Sequence, residues 1–181
     1  MAHSAVRLDK VRSVYDGHLE SLRHETLDID NGSVVMVGDF LEGEREVRKA
    51  VVPATATIDT TPLVLVSAPE INYSEYRTVD GALGAVTNEK QFPFRAYRLE
   101  KGDIFSVSKD ALTLIGASAV NGNYVVAQNG SVKLKETATK GTEKFVGKIV
   151  ATEAIGTATF VGANGSVGRV TELVVIEVIQ N

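Results

Sequence analysis

Mainly β architecture, as an antiparallel β-sandwich or small β-barrel preceded by an extended N-terminal arm, is what the residue usage and punctuation of this chain predict. Valine recurs throughout, aromatic residues make up only 6% of the 181 residues, and tryptophan is absent. β-Branched side chains that suit a pleated surface therefore outnumber bulky fillers. Asn-Gly pairs at 31–32, 121–122, 129–130 and 164–165 flank short β-branched runs. Both residues of such a pair tolerate positive φ, and the turn they make matches the right-handed twist of paired strands. From about position 94 onward turn signals recur roughly every ten residues, the spacing of a sandwich or small barrel.

The elements follow in order. Residues 1–30 interleave Val6, Leu8, Val11, Val14, Leu19, Leu22, Leu27 and Ile29 with charges and match neither a helix period nor a strand period, which predicts an extended arm. Asn31-Gly32 turns the chain into a strand over Val34-Val35-Met36-Val37, closed by Gly38-Asp39. The charge-alternating stretch Glu42 to Lys49 reads as a solvated loop or outer strand. Leu63-Val64-Leu65-Val66, set between Thr- and Pro-rich segments, reads as a buried strand. Residues 70–91 form the longest expected loop, and long loops in compact domains are often functional.

Phe92 to Leu99 and Ile104 to Val107 read as two strands joined by a tight turn at Lys101-Gly102-Asp103. Leu112 to Ile115 follows as another apolar strand ending at Gly116. In Ser131-Val132-Lys133-Leu134-Lys135 the alternation puts Val132 and Leu134 on a buried face and both lysines in water. The run Val170 to Ile179 looks buried on both faces. The expected organisation is an arm over 1–30, a β-rich main domain over 31–115, and an antiparallel meander over 116–181. That meander either completes the main domain or forms a small outward-facing subdomain.

Composition excludes several function classes. A hydrophobic share of 44% with 23% charged residues suits a folded core and argues against disorder. The net charge of −4 is spread without a concentrated basic face, so no nucleic-acid partner is expected. With no cysteine, disulfides, thiolate zinc sites and cysteine nucleophiles are ruled out. No run approaches the ~20 apolar residues of a membrane span, and Met1 to Lys10 lacks the layout of a signal peptide, so a cytoplasmic product and no membrane partner are expected.

Reactive constellations are sparse. His3, His18 and His24 all fall in the first 25 residues, and a metal role would need His18 and His24 to meet Asp28 or Asp30, a spacing that fits no known ligand pattern. Asp28-Ile29-Asp30 and Asp39 lack the glycine and glutamate of a calcium loop. Gly165-Ser166-Val167-Gly168 falls one residue short of a nucleophile elbow, and Gly147-Lys148 is followed by Ile149 where a phosphate loop needs Ser or Thr. No catalytic residue, metal or cofactor is assigned.

Several strings together resemble the head decoration, or capsid cement, proteins encoded in the head-gene modules of tailed phages. They are Gly17-His18-Leu19-Glu20-Ser21, Asn31-Gly32, Gly38-Asp39, Gly43-Glu44-Arg45-Glu46-Val47, Ser67-Ala68-Pro69-Glu70 and the block Arg95 to Val107, so the resemblance covers positions 15 to 110. It implies a non-enzymatic virion protein on the capsid exterior that bridges subunits of the major capsid protein, commonly as a homotrimer. The chain from about Gly116 onward carries no such resemblance.

Candidate interface residues are Val6, Leu8, Val11, Val14 and Tyr15 in the arm and Phe92, Phe94, Arg95, Tyr97 and Arg98 farther on. The arm either packs on its own domain or adds a strand to a neighbour's sheet edge. The second group has the aromatic and arginine composition of interface anchors, and equally that of an ordinary core strand. A tail or fibre attachment subunit and a carbohydrate-binding β-module are the alternative functions, the latter weakened by the lack of tryptophan.

Overall fold

The structure is a computed structural model that describes residues 3–69, 86–156, 159–160, 166–167 and 170–181. Residues 70–85 of the expected long loop and the Asn164-Gly165 turn lie outside the described residues. In chain order the elements are β1 (Val6–Lys10), the single-turn helix α1 (Ser13–Asp16), β2 (Leu19–Arg23), β3 (Ile29–Asp30), β4 (Val34–Phe40), β5 (Val47–Val51), α2 (Thr55–Ile58), β6 (Val64–Val66), β7 (Thr87–Asn88), β8 (Phe94–Arg98) and β9 (Ile104–Ser108), followed by β10 (Leu112–Thr113), β11 (Tyr124–Ala127), β12 (Leu134–Thr137), β13 (Val146–Gly156), β14 (Thr159–Phe160), β15 (Ser166–Val167) and β16 (Val170–Gln180).

The protein is mainly β, and it combines both expected architectures. Strands β2-β5-β4-β6-β8 close a five-stranded barrel, and β1-β9-β16-β13-β11-β12-β10 form a seven-stranded sheet packed against it. Two cores result, and strand alternation divides them. Leu22, Val35, Ala50, Val64, Val66, Phe94 and Ala96 fill the barrel. Val34, Met36, Leu63, Leu65, Tyr97 and Leu99 leave the opposite face of the barrel wall and meet Phe105, Val107, Val125, Leu134, Phe145, Ile149, Val174, Ile176 and Val178 of the sheet side. Runs such as Val34-Val35-Met36 and Leu63 to Val66 are apolar at every position because each residue serves one core or the other.

The N-terminal segment is part of this body. β1 is the antiparallel edge strand of the sheet beside β9, with Val6 opposite Val107, and β2 is a barrel strand between β5 and β8. Upstream of β1, the buried Ser4 hydroxyl donates to the Asn31 carbonyl at 2.7 Å, the Ala5 amide donates to Ser108 Oγ at 3.0 Å, and His3 Nδ1 lies 2.8 Å from Asp30. The pairing capacity foreseen for a neighbour's sheet edge is thus used on one side within the chain.

Three further readings are corrected. Gly38 does not end β4; the strand runs on to Phe40 through a register shift against β5, and a Cβ at Gly38 would sit 2.9 Å from Val51 Cγ2. Glycine is what lets the two strands approach there. The turn at Glu100–Asp103 does not make a hairpin, because β8 belongs to the barrel and β9 to the sheet. It is a corner between layers, held by the buried Asp103 carboxylate, which accepts the Arg12 and Glu100 amides at 3.1 and 2.7 Å. Nor is the second half purely antiparallel, since β10 runs parallel to β12.

The last strand pair is long. β13 and β16 pair from Val146 opposite Gln180 to Gly156 opposite Val170, with register shifts between Val146 and Gly147 and between Ile149 and Ala151, while β11 leaves β13 at Lys148 and β9 leaves β16 at Leu173. Beyond those points the pair continues as a two-stranded ribbon toward the β14–β15 pairing.

Candidate interaction surface

One end of the barrel is where charge and exposed apolar surface converge, and strand register dictates it. Antiparallel pairing of β8 with β2 and β6, together with parallel pairing of β2 with β5, brings the starts of β2, β5 and β6 to the ends of β4 and β8. Glu20, Arg48 and Arg98 lie two residues from Leu22, Ala50 and Ala96, which fill the barrel. By alternation all three share the inward face, where the barrel opens to water. The Arg98 guanidinium donates through Nε at 2.8 Å, and through its terminal nitrogen, to Glu20 Oε1. Arg48 approaches the other oxygen of Glu20 at 4.0 Å and lies over the Phe40 ring, 4.2 Å from its centroid. An open groove of about 330 Å³ covers this mouth, walled by Val37, Arg48, Pro62, Val64, Arg98 and Glu100.

Beside the mouth, Arg12 joins α1 to the corner. Its guanidinium reaches Glu100 at 2.8 Å and Asp16 at 3.3 Å, and the Ser13 hydroxyl donates to the Arg98 carbonyl. Asp16, His18 and Glu100 bring potential metal-ligand atoms within 4.8 Å of one another. Both carboxylates already face the fixed cation of Arg12, which opposes a second positive charge there. The histidine set considered from sequence is not assembled: His18 lies near Asp16, His3 pairs with Asp30, and His24 Nδ1 accepts the Thr26 and Leu27 amides.

The sequence-derived interface residues divide sharply. Tyr15 is 81% exposed, Phe92 64% and Val14 46%, and Arg95 and Arg98 also face water. Val6 and Leu8 are half-buried and pack against the core between sheet and barrel. Val11, Phe94 and Tyr97 are a correction: each is under 9% exposed, Phe94 inside the barrel and the other two between the layers, so none is accessible to a partner. Arg98 shares the inward face of β8 with Phe94 but sits at the open mouth, and Arg95 shares the other face with Tyr97, so position along the strand, not face, separates the exposed arginines from the buried aromatics. Sequence reading missed Leu19 and Phe40, both exposed, and the pair Glu20 and Arg48. The i, i+2 spacing of Glu20 and Leu22 was the available signal, but it becomes informative only once β2 is known to be a barrel strand.

Elsewhere, the buried Glu136 carboxylate accepts the Ile115 and Val120 amides at 3.1 and 3.0 Å and the Asn123 side-chain amide at 2.7 Å. Burial disfavours its charge, but the three N–H donors outweigh burial and hold the carboxyl below the usual carboxylate range. Lys109 is held above the usual lysine range by its 2.9 Å hydrogen bond to Glu172. Among the described residues no helix is long and apolar enough to cross a membrane. No protein-family model, curated protein or solved structure matches the chain.

Proposed function

We propose that this protein is a structural virion component that binds the outer surface of a phage capsid lattice, contacts the major capsid protein, and stabilises the shell by bridging subunits, acting without catalysis and as a homotrimer. One observation carries the reading. The strings that resemble head decoration proteins coincide with barrel elements: Gly17 to Ser21 enters β2, Gly38-Asp39 and Gly43 to Val47 form the β4–β5 hairpin, and Arg95 to Val107 runs from β8 into β9. The barrel end thereby carries Tyr15, Leu19 and Phe40 exposed near Arg48 and Arg98, with Phe92 exposed before the start of β8. Exposed aromatics next to arginine are the residues that dominate interface energetics. A shell under internal pressure is weakest at the seams between capsomers, where a clamp burying roughly 800 Å² per contact binds stably and a trimer multiplies that through avidity.

The test mixes purified protein with undecorated heads and measures the saturating copy number and the temperature of head disruption. Saturation at a fixed number per lattice unit with a raised disruption temperature is the expected result. Tyr15→Ala combined with Phe40→Ala is expected to weaken binding at least tenfold while leaving fold stability within about 0.5 kcal/mol, since both side chains are exposed. Absence of lattice binding, or binding confined to one vertex of each head, overturns the reading.

A further inference from the structure

The barrel mouth holds two guanidinium groups and one carboxylate. Arg98 commits two nitrogens to Glu20, whereas among the described residues Arg48 has only its 4.0 Å approach to Glu20 and the Phe40 ring beneath it. Glu100 lines the groove but is engaged by Arg12 at 2.8 Å, which also reaches Asp16 at 3.3 Å, and Glu46 lines the neighbouring groove with Leu19, Pro69 and Pro93. Glu20 is therefore shared by two guanidinium groups, and Arg48 holds only the looser, 4.0 Å share of it inside a concave site. Contact with the Phe40 ring restrains the Arg48 guanidinium, so less side-chain freedom is lost when its fork closes on a planar acceptor.

We propose that this mouth is an acceptor for one carboxylate, an aspartate or glutamate side chain presented by the binding partner and seated against Arg48 on the open side of Glu20. The identity of that partner as capsid protein rests on the function proposed above; the carboxylate chemistry does not. A carboxylate suits the site because its two oxygens match the paired N–H groups of a guanidinium, and charge-assisted pairs of that kind are roughly twice as strong as neutral ones. The floor of Glu20 disfavours the heavier negative charge of a phosphate, which would lie close to a like charge that Arg48 and Arg98 already share.

The proposal is tested with and without heads. In the absence of heads, the Nε–H signals of Arg48 and Arg98 are followed by NMR while glutarate, inorganic phosphate or sodium chloride is added at matched ionic strength. A saturable shift at Arg48 with glutarate, absent in Arg48→Met, is expected. Met keeps an unbranched chain against the Phe40 ring while removing the charge, so folding is preserved. A glutarate response no larger than the chloride response overturns the carboxylate assignment, as does an equal or larger response to phosphate.

With heads, Arg48→Met is expected to weaken binding about ten- to hundredfold and to flatten its salt dependence, and Arg48→Lys to recover part of the loss. Wild-type binding that is unchanged in Arg48→Met overturns the mouth as a docking point and leaves the capsid reading standing. Failure of the wild-type protein to bind heads overturns the capsid reading, and the glutarate titration then decides the mouth by itself.

Discussion

Glu136 carries its charge in a position that sequence inspection passes over, one acidic residue at the end of an alternating strand. Its carboxylate is 1% exposed and holds the segment from Ile115 to Asn123, which contains no ionisable side chain, against the end of the sheet. Its cross-strand row continues through Val125, Gly147 and Val178, none of which ionises, and Lys135 and Lys148 alternate onto the other face. The folded-state pKa is lowered relative to the unfolded chain. The ionised form therefore contributes its full stabilisation above the ordinary glutamate value of about 4.3 and loses it as the pH falls through the lower folded value. Glu136→Gln is expected to cost roughly 1.5–3 kcal/mol at pH 7, the range for hydrogen bonds to a charged group. The cost shrinks as the pH is lowered from 7 toward 3. Urea unfolding of both proteins at the two pH values checks this; an equal difference at both rules out the carboxylate's charge as the source.

At the scale of elements, the β13–β16 pair combines two environments. Around Ile149 and Ile176 it is flanked by β11 and β9 and packs on the core, whereas from Ala154 to Gly156 it is a ribbon whose outer edges meet no other described strand. Isolated two-stranded ribbons are marginally stable in water, so the Ile155 amide is expected to exchange faster than that of Ile176 by several orders of magnitude, measured by hydrogen exchange. Equal protection would mean that the ribbon is covered by something else, such as a second subunit. How far such elements were legible depends on their surroundings. Around β12 the alternation was legible in part: Leu134 faces the core while Lys133 and Lys135 face water, but the buried Glu136, next on the core side, gave no such signal. β4 and β6 were legible as strands but not as walls, since a run apolar at every position does not say which of two cores each side chain enters. The same blindness explains Phe94 and Tyr97, which look like anchors beside Arg95 and Arg98 and are buried on opposite faces of one strand. Gly102, at φ 90°, makes a turn at a corner between layers as readily as in a hairpin, so only the pairing partners of β8 and β9 tell the two apart. The mouth was beyond reach for a related reason: Glu20 and Arg98 are 78 residues apart in the chain and meet only because the barrel closes.

The molecule as a whole consists of two cores that share walls, and that fixes how it unfolds. β4, β6 and β8 bury one face in the barrel and the other against the sheet, so neither core keeps its lining if the other melts. β1 and β2 add a covalent reason, since the first 23 residues enter the sheet and then the barrel. Cooperative two-state unfolding is therefore expected despite the two hydrophobic clusters. Leu22→Ala in the barrel and Phe145→Ala between the layers, both at 0% exposure, are expected to lower stability by about 2–5 and about 3–5 kcal/mol respectively. Each should move a single transition to lower urea without splitting it. Methyl NMR signals of Val35 in the barrel and Ile176 in the sheet, followed through the same titration as far-UV circular dichroism, report the two cores separately. Coincident midpoints in both variants are the outcome that shared walls require. A Leu22→Ala protein that loses the Val35 signal while Ile176 stays native would show the barrel to be an independent unit, and a mechanical clamp built from it would then give way without disturbing the sheet.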